Sequence, residues 1–172
     1  ADFTILGRIV HHHQVLLMSP QSGIRSMEDF VRVGRQRAIV LGETGPTTIN
    51  FLLAAVLEDF CGIPVEIVLG FPGTTEILSA ARRGDVDGLV VGVESTRLFP
   101  DLVPILRFGE GSFGANSEFD HVPMLGGEAG LASTRPELFA EAANVVRADA
   151  DALTTLMEVG RLVVAPPQME TG

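Results

Sequence analysis

Along its first 110 residues the chain alternates short β-branched and aliphatic runs with longer stretches whose apolar positions recur every three to four residues. Alternation of these two periods is the signature of strands interleaved with amphipathic helices. Phe3–Val10 and Val15–Met18 read as short strands broken by His11-His12-His13-Gln14. Ser26 before Met27-Glu28-Asp29-Phe30 predicts a helix start, with Ser26 as N-cap and Asp29 completing an approximate capping box. That helix is expected to run to about Arg37, followed by a short buried strand over Ala38–Leu41. A strongly apolar helix follows from about Thr47 to Phe60, closed by Gly62-Ile63-Pro64. Val65 opens the next strand, a helix is predicted over Thr74 to about Arg82, and further strands over Leu89–Val91 and Leu102–Phe108. Residues 109–121 are rich in Gly, Ser and Asn and read as a mobile surface loop. His121–Leu125 is a short apolar segment, two helices are expected at roughly 134–147 and 149–159, and Leu162–Ala165 reads as a last strand. The predicted class is α/β, with a mainly parallel sheet flanked by helices.

Two loops in this pattern carry candidate chemistry. Gly42-Glu43-Thr44-Gly45-Pro46-Thr47-Thr48 and Gly70-Phe71-Pro72-Gly73-Thr74-Thr75 each follow a strand and open a helix. Free N–H groups at a helix start carry partial positive charge and suit a carboxylate or phosphate. Gly42, Gly45, Gly70 and Gly73 permit close backbone approach, and Thr44, Thr47, Thr48 and Thr74 can add hydroxyls. Phe71 and Pro72 complete the second loop, with Phe71 either exposed or packed beneath it. The plainer alternative is that Thr47 or Thr48 caps a helix and the loops are connectors. Neither loop matches a Walker or dinucleotide fingerprint.

Composition narrows the chemistry. The net charge of −10 argues against a nucleic-acid binder, which presents a basic stripe. All twelve Lys-plus-Arg positions are Arg, so Schiff-base and Walker-lysine chemistry is excluded. The lone Cys61, at the end of an apolar helix, can form neither an intrachain disulfide nor a thiolate cluster. At 46% hydrophobic residues and mean hydropathy +0.32 the chain can build a core. No apolar run approaches a membrane span, and the start Ala1-Asp2-Phe3-Thr4 reads as a cut end without a signal peptide. His11 and His13 share a face if extended, yet no spacing specifies a third metal ligand, and no metal or cofactor is expected. No Gly-x-Ser-x-Gly elbow is present, and Asp85 and Asp87 read as a structural turn.

Taken in order, several motifs resemble those of the solute-binding receptors of the tripartite tricarboxylate transport system. They are Asp2-Phe3-Thr4, Arg25-Ser26-Met27-Glu28-Asp29-Phe30, Gly42-Glu43-Thr44-Gly45, Gly70-Phe71-Pro72-Gly73-Thr74-Thr75-Glu76 and Arg83-Gly84-Asp85-Val86-Asp87-Gly88. Val122-Pro123-Met124-Leu125 and Gly160-Arg161-Leu162-Val163-Val164-Ala165-Pro166-Pro167 complete the series. The resemblance implies one lobe of a type II periplasmic-binding-protein fold, the second lobe with its crossover segments, without the first lobe and closing helices. It implies that Phe3–Val10 and Leu162–Ala165 lie near one another, as crossover segments toward the missing lobe. It also implies a non-enzymatic, extracytoplasmic (periplasmic) receptor holding a small carboxylated metabolite at helix N-termini, with membrane transporter subunits as partners. Apolar surface left where the missing lobe would sit is an expected homodimer contact. Phe71 stands where the family usually has Tyr, which removes a phenol hydrogen bond. The alternative is an α/β enzyme acting on a small phosphorylated or carboxylated substrate, drawing a titratable pair from His11, His13 and His121 with Asp85, Asp87 or Asp120.

Overall fold

The structure is a computed structural model that describes residues 4–10, 13–109, 118–140, 148–153 and 161–165. Five strands form the central sheet: β2 (Gln14–Met18), β3 (Ile39–Gly42), β4 (Val65–Val68), β5 (Gly88–Gly92) and β6 (Val103–Phe108), in the order β4-β3-β5-β2-β6. β3 runs parallel to β4 and β5, whereas β2 pairs antiparallel with both β5 and β6. Four of the five strands therefore point one way, as expected, and β2 is a reversed insertion that makes the sheet mixed.

Helices cover both faces. α1 (Met27–Gly34) and α2 (Ile49–Cys61) pack on one side, where Phe30, Leu53 and Leu57 meet Leu16, Met18, Ile39, Leu41 and Val90. α3 (Thr74–Arg83) packs on the other, where Ile77 and Leu78 meet Val15, Leu17, Leu89 and Val91. Coverage of both faces explains why every residue of β2 is buried and why its sequence is an unbroken apolar run after Gln14. The strand alternation sorts these side chains: residues 16 and 18 go to the α1/α2 side, residues 15 and 17 to the α3 side.

A second sheet pairs β1 (Thr4–Val10) antiparallel with β7 (Arg161–Ala165), from Thr4↔Ala165 to Val10↔Arg161, with register shifts between Ile5 and Gly7 and between Arg8 and Val10. The segments expected near one another are thus strand partners.

Helix ends follow local chemistry. Ser26 Oγ accepts from the Asp29 N–H at 3.2 Å, while Asp29 Oδ2 accepts from the Arg25 N–H at 3.1 Å, one residue outside a regular capping box. α1 stops at Gly34 rather than near Arg37. Gly62 ends α2 in the left-handed region at φ 60° and returns its N–H to Glu58 O at 2.8 Å. The helix expected over 134–147 is not formed in its described part. α4 (Leu131–Thr134) ends there, and Pro136 opens a separate 3-10 turn over Pro136–Leu138. Proline forces the residue before it out of helical geometry, and Arg135 accordingly sits at φ −135°, ψ 53°. Residues 148–153 are helical. The expected mobile loop falls largely on residues 110–117, and the remaining parts of the two late helices on 141–147 and 154–160, all outside the described residues.

Candidate functional site

β3 and β4 are neighbours and run in the same direction, yet the chain leaves β3 for α2 on one face and β4 for α3 on the other. Such a divergence opens a crevice outside the carboxyl ends of the strands, the place where open α/β sheets receive ligands. Both candidate loops lie at this edge. Their backbones are tied together: Glu43 N–H donates to Val68 O at 2.9 Å, extending the β3–β4 ladder by one residue.

The loop after β3 is largely self-satisfied. Thr48 is the N-cap of α2, its Oγ1 accepting from the Phe51 N–H at 3.0 Å. Its hydroxyl donates to Glu43 Oε2, and Glu43 is only 3% exposed. The partial positive charge of the α2 N-terminus thus already faces a carboxyl group of the chain itself. Thr48 therefore caps, as the plainer reading held, and its donor is committed internally. Thr44 and Gly45 are half-buried and Thr47 is exposed. A Cβ at Gly45 would meet nothing within 4 Å, so the loop is open there. Gly42 differs: a Cβ there would fall 2.5 Å from Ile77 Cγ2 and 3.3 Å from Phe71 Cε2. Its missing side chain makes room for α3 and Phe71 rather than for a ligand. Phe71 accordingly packs beneath its loop against the α3-side core.

The loop after β4 is less satisfied. Gly73 is the N-cap of α3 and supplies no side-chain hydrogen bond. Gly70 has φ 95°, a left-handed conformation that favours glycine. Gly70 and Pro72 are exposed, and Gly73 and Thr74 half-buried. Glu76 in the first turn of α3 brings Oε2 to 3.0 Å from the position of a Gly73 Cβ.

Two acid candidates of the enzymatic alternative, Asp85 and Asp87, are paired with arginines. Arg37 Nη1 and Nη2 donate to Asp87 at 2.5 and 2.7 Å, and Val40 N–H donates to the same carboxylate at 2.9 Å. This clamp raises the Arg37 pKa, chiefly through its hydrogen bonds to Asp87. Asp85 pairs with Arg83 at 2.7 Å. Asp87 precedes β5, whereas His13 O accepts from Val93 N–H after β5 at 3.0 Å. The two residues are thus a strand length apart, about 20 Å. A hollow of about 360 Å³ beside the clamp, lined by Gln21, Ser22, Arg37, Asp85 and Asp87, opens at the amino edge of the sheet. Asp120 lies 3.8 Å from Arg107 Nη1, whose Nε donates to Val122 O at 2.9 Å. Burial pushes the Arg107 pKa down. His121 is exposed, and His11 lies outside the described residues. Burial pushes the Cys61 thiol up to about 12, so it is inert as a nucleophile near neutral pH. Among the described residues no three His, Cys, Asp or Glu side chains converge as metal ligands, and no helix is long and apolar enough to cross a membrane.

Sequence reasoning passed over three polar residues at the carboxyl edge. Glu43 sat inside a loop read for its glycines and threonines. Gln14 opens a strand that is otherwise apolar, which was the available signal. Glu94 follows β5 in a 3-10 turn over Val93–Leu98.

No known family profile matches the sequence. No curated protein matches it either. Among solved structures, the chain is similar to Rpa4515 of R. palustris with adipate, at 14% identity and TM-score 0.64, covering 92% of this chain and 67% of that one. It is similar to a TctC solute-binding protein from Polaromonas, at 18% identity and TM-score 0.63, covering 95% and 62%. It is also similar to MatC of Rhodopseudomonas palustris with bound malate, at 17% identity and TM-score 0.61, covering 91% and 55%. The chain spans about two thirds or less of the length of these proteins. At these identities the likeness is one of fold: a mixed α/β lobe like one lobe of the TctC and BugD type of periplasmic solute-binding protein.

Proposed function

We propose that this chain is the ligand-binding second lobe of an extracytoplasmic solute receptor of the tripartite tricarboxylate type, and that it takes a small carboxylate at the carboxyl edge of β3 and β4. The observation that carries the reading is the α3 N-terminus. It opens at the carboxyl end of β4, next to β3, and its N-cap Gly73 supplies no side-chain hydrogen bond; in the loop that leaves the neighbouring β3, the backbone at Gly45 is open as well. The N–H groups of a helix's first turn suit a carboxylate that comes within contact distance. The overall charge of −10 does not forbid this, because it is screened beyond about 8–10 Å in physiological salt. The fold likeness to proteins solved with adipate and malate supports the same ligand class. The reading includes a periplasmic location, a first lobe closing over the ligand, membrane transporter subunits as partners and a receptor without catalytic activity.

Titration with succinate, malate, adipate and citrate, read by thermal shift and calorimetry, tests it. A true ligand raises stability by about 2.7 kcal/mol at a hundredfold excess over its Kd. Gly45→Val with Gly73→Val probes the site without disturbing the fold. Gly45 has an empty surrounding, and Gly73 is extended at φ −172° with only the mobile end of Glu76 nearby. The double variant is expected to weaken binding by about 1–3 kcal/mol, the scale of leaving hydrogen-bonding groups unpaired. Unchanged affinity, with an unchanged circular dichroism spectrum, would rule the site out.

A further inference from the structure

The two edges of the central sheet are finished differently. Beside β6, Arg107 N–H donates to Pro123 O at 2.9 Å and Leu125 N–H donates to Arg107 O at 3.1 Å, and the strand itself carries Pro104. A proline and a covering segment both stop an edge strand from pairing further. β4, at the opposite edge, contains no proline, and β3 is its single partner among the described strands. No residue of β4 is buried, whereas every residue of β2 is. The ladder with β3 fixes which backbone groups are left over. Ile39 N–H donates to Pro64 O at 3.0 Å, and Glu43 N–H to Val68 O at 2.9 Å. Alternation then turns Glu66 and Val68 toward β3, and the N–H and C=O of Val65 and Ile67 outward. The side chains of Val65 and Ile67 lie on the α1/α2 face, and Leu69, next along that face, is 45% exposed. α2 packs over β4, has no charged residue from Ile49 to Leu57, and leaves Leu52 40% exposed.

A free edge with outward backbone groups and an apolar flank is a template for another strand. The strand is complementary to itself. In an antiparallel pair about a twofold axis through Ile67, the two Ile67 residues exchange both N–H···O bonds, and Val65 of each copy comes opposite Leu69 of the other. The one charge of the strand, Glu66, then comes opposite Val68. A register centred on Glu66 would instead set two like charges face to face, which is destabilising. The axis stands perpendicular to the sheet, so α2 of both copies stays on the same face. We propose that the β4 edge is a self-association surface, through which a second copy of this chain joins its sheet antiparallel about Ile67. This inference does not depend on the receptor reading, and the surface differs from the one that the missing lobe would cover. A four-residue strand buries much less than the roughly 800 Å² per partner of a stable complex, so the dimer is a weak one.

Sedimentation velocity on the chain, from about 10 μM to about 1 mM, tests it. A reversible dimer is expected. It should tighten at least about threefold as salt rises from about 0.01 to about 0.15 M, because screening relieves the repulsion between two chains of charge −10. Ile67→Pro removes an outward N–H and no bond to β3, and should weaken the dimer at least about tenfold. Leu69→Gln, at an exposed position, should weaken it at least about threefold. Ile67→Cys should give a disulfide-linked dimer with oxidised glutathione, since the paired Cα atoms of such a register lie about 5.5 Å apart. Glu58→Cys, at an exposed position in the last turn of α2, should not. The native Cys61 does not compete, because burial pushes its thiol up to about 12. A chain that stays monomeric at about 1 mM in both salts would overturn the inference. So would a dimer that Leu69→Gln leaves unchanged and that position 67 does not cross-link, whether or not Ile67→Pro folds.

Discussion

Glu43 and Thr48 show how much one pair of side chains settles at the residue scale. Thr48 ends a strand-to-helix loop, caps α2 through the Phe51 N–H, and gives its hydroxyl proton to a carboxyl group that is 3% exposed. Replacing it with the near-isosteric valine removes the cap and leaves a buried acceptor short of a donor. The cap is worth about 1 kcal/mol and the orphaned acceptor about 1–3 kcal/mol. Thr48→Val should therefore lower unfolding free energy by about 2–4 kcal/mol in urea titrations, and Thr48→Ser should restore most of it. A loss below about 0.5 kcal/mol, the scatter of ordinary surface substitutions, would mean that Glu43 finds its donor elsewhere. Gly42 makes the opposite point. It was read as room for a ligand, and the room is taken by Ile77 and Phe71.

The element most exposed to pH is α1 with the turn that docks beside it. Three carboxylates there sit below their ordinary range. Glu28 is lowered first by a hydrogen bond from its own backbone N–H, then by Ser26 and Arg135. Asp29 is lowered by the Arg32 side chain and then by the Arg25 N–H. Glu137 is lowered chiefly by the Arg135 side chain. Arg135 joins the two segments, with Nη1 2.6 Å from Glu28 Oε1 and Nε bonded to Glu137. A carboxyl whose pKa is lower in the folded than in the unfolded state releases its proton more readily when folded. Its contribution is then complete above the ordinary values of 4.5 for Glu and 3.8 for Asp, and is lost as pH falls through the lowered folded values. Urea midpoints should be level above about pH 5 and decline toward pH 3. Arg135→Gln should flatten that decline by removing the shared partner of Glu28 and Glu137. An unaltered slope in the variant would assign the acid sensitivity to other groups.

For the whole molecule, a formal charge of −10 spread over 172 residues implies self-repulsion that salt relieves. The Debye length falls from about 30 Å at 0.01 M to about 8 Å at 0.15 M. The thermal midpoint should rise over that range by about 3 °C, equivalent to about 1 kcal/mol for a chain of this size. A falling midpoint would mean that surface pairs such as Arg82–Asp101 and Arg83–Asp85 outweigh the net repulsion.

The sequence by itself determined the elements, because their causes are local. The apolar period of α2, the Ser26 cap and the stop at Gly62 act over a few residues of chain and stand where they were read, and of the two threonines offered as a cap for α2 it is Thr48 that caps. It missed the break after Thr134, where Pro136 overrode a helix-like pattern. Tertiary structure alone decided what lies beside what. The reversal of β2 depends on ladders with β5 and β6, some seventy to ninety residues downstream. The separation of Asp87 from His13 depends on which ends of β5 they occupy. The two candidate loops share an edge because β3 and β4 run parallel as neighbours. Gln14, Glu43 and Glu94 become one polar edge only when three strands are laid side by side. No local pattern encodes that arrangement, because it is set by which hydrophobic faces α2 and α3 bury on opposite sides of one sheet.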